Sequence, residues 1–317
     1  MRVLFLAPTI RSRFHQTVPL AWAVRARGHE VRVAGPPGLL DTIAGTGLPA
    51  VQTTGPTLEA LLDDVIDFAK RWRPHMVVHS GNDIPASEVA TAAGAAQVQL
   101  LAGYDDDVPS PEAATLVDAL PAPLRSSAGQ RRLAMRHVPY DGPGVIPASI
   151  RRRSVRPRIC VSVAATDPRL GAVLAGVADP GLDVVTALPI EDLPEDIELP
   201  DNVRLLDPFP LHVVLPTCTA VIHDGDPAMM LGSLGHALPQ LILTGPGAAA
   251  RLADRIVHHG AALAAESAAG LSAPWLGALL DAHGLRGKAA ALQRDMLAEP
   301  SPQAVAAELD RLVTAGG

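Results

Sequence analysis

His223-Asp224-Gly225-Asp226-Pro227 sets a histidine, two carboxylates and a proline within five residues. The apolar run Thr219 to Ile222 before it reads as a buried parallel strand, and Ala228 to His236 after it reads as a helix. His223 to Asp226 are therefore expected at the carboxyl end of a strand and the amino end of a helix. In open α/β sheets ligands bind in that crevice, and the N–H groups and dipole of a helix start favour phosphate. Asp224 and Asp226 oppose a diphosphate unless they are neutralised or turned away. Asp226 also reads, with equal weight, as a plain N-cap followed by Pro227 at the first helical position, which implies no ligand.

A second set of candidates lies near the start of the chain. The stretch Arg11 to Thr17 reads as a polar loop at the carboxyl end of the first strand, where His15 would face a cleft. The plainer reading of His15 is a solvent-exposed loop histidine without a role. Arg13 is always protonated and cannot accept a proton. His15, Arg13, Asp83, Asp224 and Asp226 are the groups available for acid–base work, and the two junction aspartates would hold one proton between them if they lie close enough.

The elements that must position these residues alternate along the chain. Arg2 to Ala7 is a buried strand, Val18 to Arg27 a helix stopped by Gly28, and His29 to Ala34 the next strand. Helix and strand then alternate through Leu58 to Arg73, Met76 to His79, Pro85 to Ala93 and Gln97 to Leu101. Tyr104 to Gln130 is acidic and rich in Pro and Ala, with no clear strand, and Leu133 to Val138 is a candidate last strand. Pro139 to Pro157 reads as a linker. The alternation resumes with strands at Arg158 to Val163, Asp183 to Ala187, Val203 to Leu206, Ala220 to Ile222 and Gln240 to Leu243, and ends in a helical tail broken at Glu299-Pro300-Ser301-Pro302. The fold class expected is α/β, two Rossmann-like doubly wound domains facing a central cleft. The boundaries expected are 1–138 for the first domain, 139–157 for the linker, 158–300 for the second domain and 301–317 for a terminal helix that packs back on the first.

With 317 residues, 48% of them hydrophobic, the chain can bury two cores. No window is long and apolar enough for a bilayer and no signal peptide is visible, so a cytoplasmic protein without membrane attachment is expected. A net charge of −7 argues against nucleic acid, and the cluster Arg151-Arg152-Arg153 with Arg156 and Arg158 reads as a coated linker. Cys160 and Cys218 read as reduced core residues, and no metal site is indicated.

Several stretches resemble the GT-B glycosyltransferases that decorate macrolide and other polyketide antibiotics: Val18-Pro-Leu-Ala-Trp-Ala with Gly28-His-Glu-Val-Arg-Val, Arg136-His-Val-Pro-Tyr-Asp-Gly-Pro-Gly, Leu199-Pro-Asp-Asn-Val-Arg, Pro208-Phe-Pro-Leu-His-Val-Val-Leu-Pro-Thr-Cys, and Pro239-Gln-Leu-Ile-Leu. The resemblance covers nearly the whole chain. It implies no resident cofactor but a nucleoside diphosphate sugar as co-substrate, and a small natural-product acceptor. It places Phe209 to Leu211 beside the nucleobase, counts Thr166 among the donor-binding residues, and puts the diphosphate at His223, Asp224, Gly225 and Asp226.

The chain departs from the family at those positions. Where relatives read His-His-Gly-Gly-Ala-Gly-Thr, it reads His223-Asp-Gly-Asp-Pro-Ala-Met229, and where they carry an acidic or amide pair for the sugar it has Thr244-Gly-Pro-Gly-Ala-Ala-Ala250. The family's general base and its orienting carboxylate align with Arg13 and Ser80; a register slip of two would instead put His15 in the base position, with His79 or Asp83 as its neighbour. The acceptor walls look shortened, with short connections around Thr53 to Leu58 and Tyr104 to Pro123. Two readings follow: a working sugar transferase, or a repurposed scaffold that performs non-glycosyl chemistry or assists another biosynthetic protein. A homodimer is compatible with either.

Overall fold

The computed structural model describes all residues except 55–56, 82, 105–108, 110–112, 114, 126–131, 147–149, 151–153, 187, 189–191, 196, 207–210, 246–248, 268–273, 281–282 and 316–317. The chain divides into two compact units, Met1–Gly142 with Met296–Gly317, and Pro143–Asp295.

Among the described residues, unit 1 holds a seven-stranded parallel sheet ordered β3-β2-β1-β4-β5-β6-β7. Its strands are β1 (Arg2–Leu6), β2 (Glu30–Ala34), β3 (Ala50–Val51), β4 (Met76–His79), β5 (Ala96–Leu101), β6 (Thr115–Asp118) and β7 (Arg132–Ala134). Helices α1 (Arg11–Ala26), α2 (Leu40–Gly45), α3 (Leu58–Trp72) and α4 (Ala86–Ala93) make the crossovers. β1 and β4 are apolar along nearly their whole length because both faces are covered, and β5 is buried as fully with two glutamines, Gln97 and Gln99, among its residues. Val3, Phe5, Val78 and Val98 pack toward α1, while Leu4, Leu6 and Val77 pack toward α3 and α4.

Unit 2 repeats the plan with a six-stranded sheet ordered β10-β9-β8-β11-β12-β13. Its strands are β8 (Arg158–Ser162), β9 (Asp183–Thr186), β10 (Val203–Leu205), β11 (Ala220–His223), β12 (Gln240–Leu243) and β13 (Ala262–Ala265). The helices are α5 (Leu170–Gly176), α6 (Leu211–Val214), α7 (Pro227–Gly235), α8 (Ala250–His258), α9 (Pro274–Leu280) and α10 (His283–Ala298), and α11 (Pro302–Ala315) closes the chain. α11 packs on α1 within unit 1, where Asp310 binds the His29 ring at 2.7 Å and Arg27 at 2.7 Å. Ser301 caps α11, its hydroxyl accepting from Ala304 N–H at 3.2 Å. No described helix is long and apolar enough to cross a membrane.

Two local expectations are corrected. Arg11 to Thr17 is the first half of α1, not a loop, so the helix begins seven residues before Val18. Arg13, Phe14, His15 and Gln16 are all buried there, and Pro19, which has no N–H to donate, lies in the helix interior. The proline resembled a helix start, and the polar residues before it resembled a solvated loop. The second correction is β6, which crosses the Pro- and Ala-rich stretch expected to lack a strand and is buried at every residue.

Candidate active site

In unit 2 the junction between β11 and α7 is held together by its own side chains. His223 is fully buried at the end of β11. Its Nδ1 accepts the Gly225 N–H at 3.1 Å, which fixes the proton on Nε2, and Nε2 donates to Gln240 Oε1 at 2.9 Å. Burial pushes its pKa down to about 4, so the ring is neutral. Gly225 has φ +88°, a conformation that glycine adopts without strain, and this turns the chain from strand into helix. The Asp226 carboxylate accepts the N–H groups of Ala228 at 2.8 Å and Met229 at 3.3 Å, the N-cap geometry expected of it. The Asp224 carboxylate accepts the N–H of Ala164, beyond the end of β8, at 3.0 Å. Burial raises the Asp224 pKa, and the charges of Asp226 and Asp167 add to this against the hydrogen bond from Ala164.

Asp224 and Gly225 open onto a cavity of about 520 Å³ at the carboxyl ends of β11, β12 and β13, walled by Arg169, Thr244, Asp254 and Glu266. Arg169 is its basic residue among those described. The guanidinium grips Asp167 through Nε at 2.9 Å and Nη2 at 2.7 Å, and donates through Nη1 to the Thr244 carbonyl at 2.7 Å. Thr166 lines a different cavity of unit 2, with Asp167, Pro168 and Leu199. Leu211 opens α6 half-buried. Phe209 lies outside the described residues.

In unit 1 the candidates gather at the carboxyl ends of β1 and β4. Arg13 is fully buried, with its guanidinium carbon 4.1 Å from the centre of the Tyr104 ring, whose hydroxyl meets Ser12 Oγ at 3.1 Å. A methyl group on Gly81, which has φ +76°, would lie 2.5 Å from Arg13 Nη1. Ser80 is buried beside it, its hydroxyl without a hydrogen-bond partner among the described residues. Asp83 accepts from Thr9 N–H at 2.8 Å and Thr9 Oγ1 at 2.6 Å. His15 is 4% exposed; its ring packs edge-on to Tyr140 with centroids 5.3 Å apart and lies near Gly142. His15 is thus not the exposed loop histidine of the plainer sequence reading. His79 donates from Nδ1 to the Gly81 carbonyl at 2.8 Å and accepts at Nε2 from the Gln97 amide at 3.0 Å, and burial lowers its pKa. Cys160 and Cys218 are free thiols, and no metal-binding cluster of His, Cys, Asp or Glu occurs among the described residues.

Residues 171–312 match a family model described as "Erythromycin biosynthesis protein CIII-like, C-terminal domain". TDP-daunosamine transferase DnrS of Streptomyces peucetius is 28% identical over 417 aligned residues, covering 98% of this chain and 97% of that protein. Tylactone mycaminosyltransferase of Streptomyces fradiae is 29% identical over 98% of this chain and 92% of its own length. Among solved structures, spinosyn forosaminyltransferase SpnP superposes with a TM-score of 0.87 at 29% identity over 99% of both chains. Glycosyltransferase VinC, solved with dTDP, superposes with a TM-score of 0.87 at 26% identity over 99% of this chain and 100% of its own.

Over nearly its whole length the chain is similar to glycosyltransferases that attach sugars to antibiotics, and its two parallel sheets give it a GT-B-like fold. The DnrS alignment runs a hundred positions longer than this chain, so the extra length of the relative falls into gaps within the chain.

Sequence reasoning found the strand-to-helix junction but missed Arg169, Gln240, Tyr104 and Tyr140. Asp167-Pro168-Arg169 carried a usable signal, since a charged pair directly after a buried strand and before a helix sits where such sheets bind ligands. Gln240 carried one too, as a polar residue opening an otherwise apolar strand.

Proposed function

We propose that this chain transfers a sugar from a nucleoside diphosphate to a hydroxyl group of a small natural-product acceptor. The donor is assigned to unit 2, with its sugar and diphosphate in the cavity beside Asp224, Gly225, Arg169 and Thr244. The observation that carries this assignment is the position of that cavity at the carboxyl ends of three parallel strands, inside the segment that matches the family model apart from Arg169. Arg169 supplies a positioned guanidinium for phosphate oxygens, and the thymidine diphosphates named for DnrS and VinC make dTDP the first donor nucleotide to try. The acceptor is assigned to unit 1, and His15 to removal of the proton from its hydroxyl, because an arginine stands at the usual position of the base and cannot accept one.

The test is binding followed by turnover. dTDP at a hundred times its dissociation constant should stabilise the protein by about 2.7 kcal/mol, visible as a rise in Tm of a few degrees. His15→Ala should then lower kcat by about a hundredfold or more without weakening dTDP binding. Full activity in that variant would remove His15 from the mechanism.

A second reading, a scaffold that no longer transfers sugar, is favoured by one observation: the junction N–H groups already have partners within the chain. Millimolar dTDP and UDP without any shift in Tm would decide for it.

A further inference from the structure

A diphosphate seated at a strand-to-helix junction needs backbone N–H groups aimed at it and no competing negative charge. Four N–H groups of this junction are already engaged. Ala164 N–H is held by the Asp224 carboxylate, Gly225 N–H by the His223 ring, and the N–H groups of Ala228 and Met229 by the Asp226 carboxylate. Pro227 has none to offer. Both carboxylates thus take donors that a bound phosphate would use. The cavity beside them carries Asp254 and Glu266 as well, and its arginine is already paired with Asp167.

We propose that Asp224 and Asp226 are specificity residues of the donor pocket, acting as built-in occupants of the phosphate positions, so that a nucleoside diphosphate binds only by displacing them from the N–H groups they hold. This rests on the proposed function for the location of the donor. The pocket therefore discriminates among donors by how well their remaining contacts, to base and sugar, outweigh that displacement. A donor with a weakly held base and sugar is rejected even though its diphosphate is the same.

The test compares the dissociation constant of dTDP, by calorimetry, for the wild-type chain and four single variants. Asp224→Ala frees the Ala164 N–H and removes a charge. Asp226→Gly frees two N–H groups while glycine keeps the helix start tolerable, and Asp226→Ser removes the charge but leaves a side-chain oxygen on the cap. Asp254→Asn removes a carboxylate that lines the same cavity. Asp224→Ala and Asp226→Gly are each expected to tighten dTDP binding at least tenfold, with Asp226→Ser in between and Asp254→Asn within about threefold of wild type. Equal affinity across all five proteins would overturn the proposal, and so would Asp254→Asn tightening binding as much as Asp224→Ala, since cavity charge alone would then explain the effect. If none of the five proteins bound dTDP or UDP, the proposal would fall together with the assignment of the donor site, a result distinct from equal binding. Should Asp226→Gly fold poorly, Asp224→Ala, which lies outside the helix, decides the question.

Discussion

His223 reaches Gln240 across two neighbouring strands at a fixed offset: Gln240 pairs in register with Val221, two residues before the histidine. Unit 1 has the same arrangement, with His79 bonded to Gln97, which pairs with Val77. Both histidines precede by two residues a glycine of positive φ, Gly81 and Gly225, yet they carry their proton on opposite nitrogens. Gln240 also donates to the Met230 carbonyl at 3.2 Å, tying β12 to α7. Gln240→Leu should therefore leave two buried polar groups unmade and cost about 1–3 kcal/mol, read from the midpoint of urea unfolding. An unchanged midpoint would show that the junction holds its shape without this amide.

Burial drives the pKa of both His137, in unit 1, and His223, in unit 2, from 6.5 down to about 4. The folded state thus binds fewer protons than the unfolded chain between those values, so each histidine's contribution to stability is full above about pH 6.5 and lost as pH falls towards 4. The ceiling is roughly 3 kcal/mol for each. Urea titrations at pH 7.5, 6 and 5 should show stability falling stepwise with acidification, and His137→Phe should flatten part of that slope.

Asp183 lies between two arginines of unit 2. It binds Arg158 Nε at 2.8 Å and is also paired with Arg204, while Arg158 donates to Thr217 at 2.8 Å. Because Arg158 is 2% exposed, Asp183→Ala would leave a buried guanidinium without its counter-charge. The expected loss is about 3–5 kcal/mol, measurable as a large drop in Tm. A loss below 1 kcal/mol would mean that water reaches Arg158.

Gly81→Ala tests the packing around Arg13. The new methyl group would meet Arg13 Nη1, and alanine is strained at φ +76°. Together these should cost about 1–3 kcal/mol and loosen the guanidinium from Tyr104, visible as altered tyrosine fluorescence. Stability equal to wild type would show that Arg13 readily moves aside.

The strands were legible because β1, β4, β8, β11 and β12 are apolar without alternation, as parallel strands covered on both faces must be. The start of α1 was not legible, since Arg13 and Gln16 are polar types that burial alone explains, and burial is a tertiary property. Similarly, Thr115-Leu-Val-Asp118 is too short to stand out among prolines and alanines until it pairs with β5 and β7. At the site, Asp226 announced its cap through the Asp-Pro pair. The engagement of Asp224 with Ala164 was hidden because it joins the ends of two strands 60 residues apart.

Unit 1 is closed by the last helix of the chain, which lies against the first. Order of synthesis follows from this. As the ribosome extends the polypeptide, unit 2 is fully translated once Asp295 has emerged, whereas α1 waits with an apolar flank uncovered until Val305, Ala306 and Leu309 arrive. The half made first is the half completed last, so premature release of a nascent chain would strand unit 1 rather than unit 2.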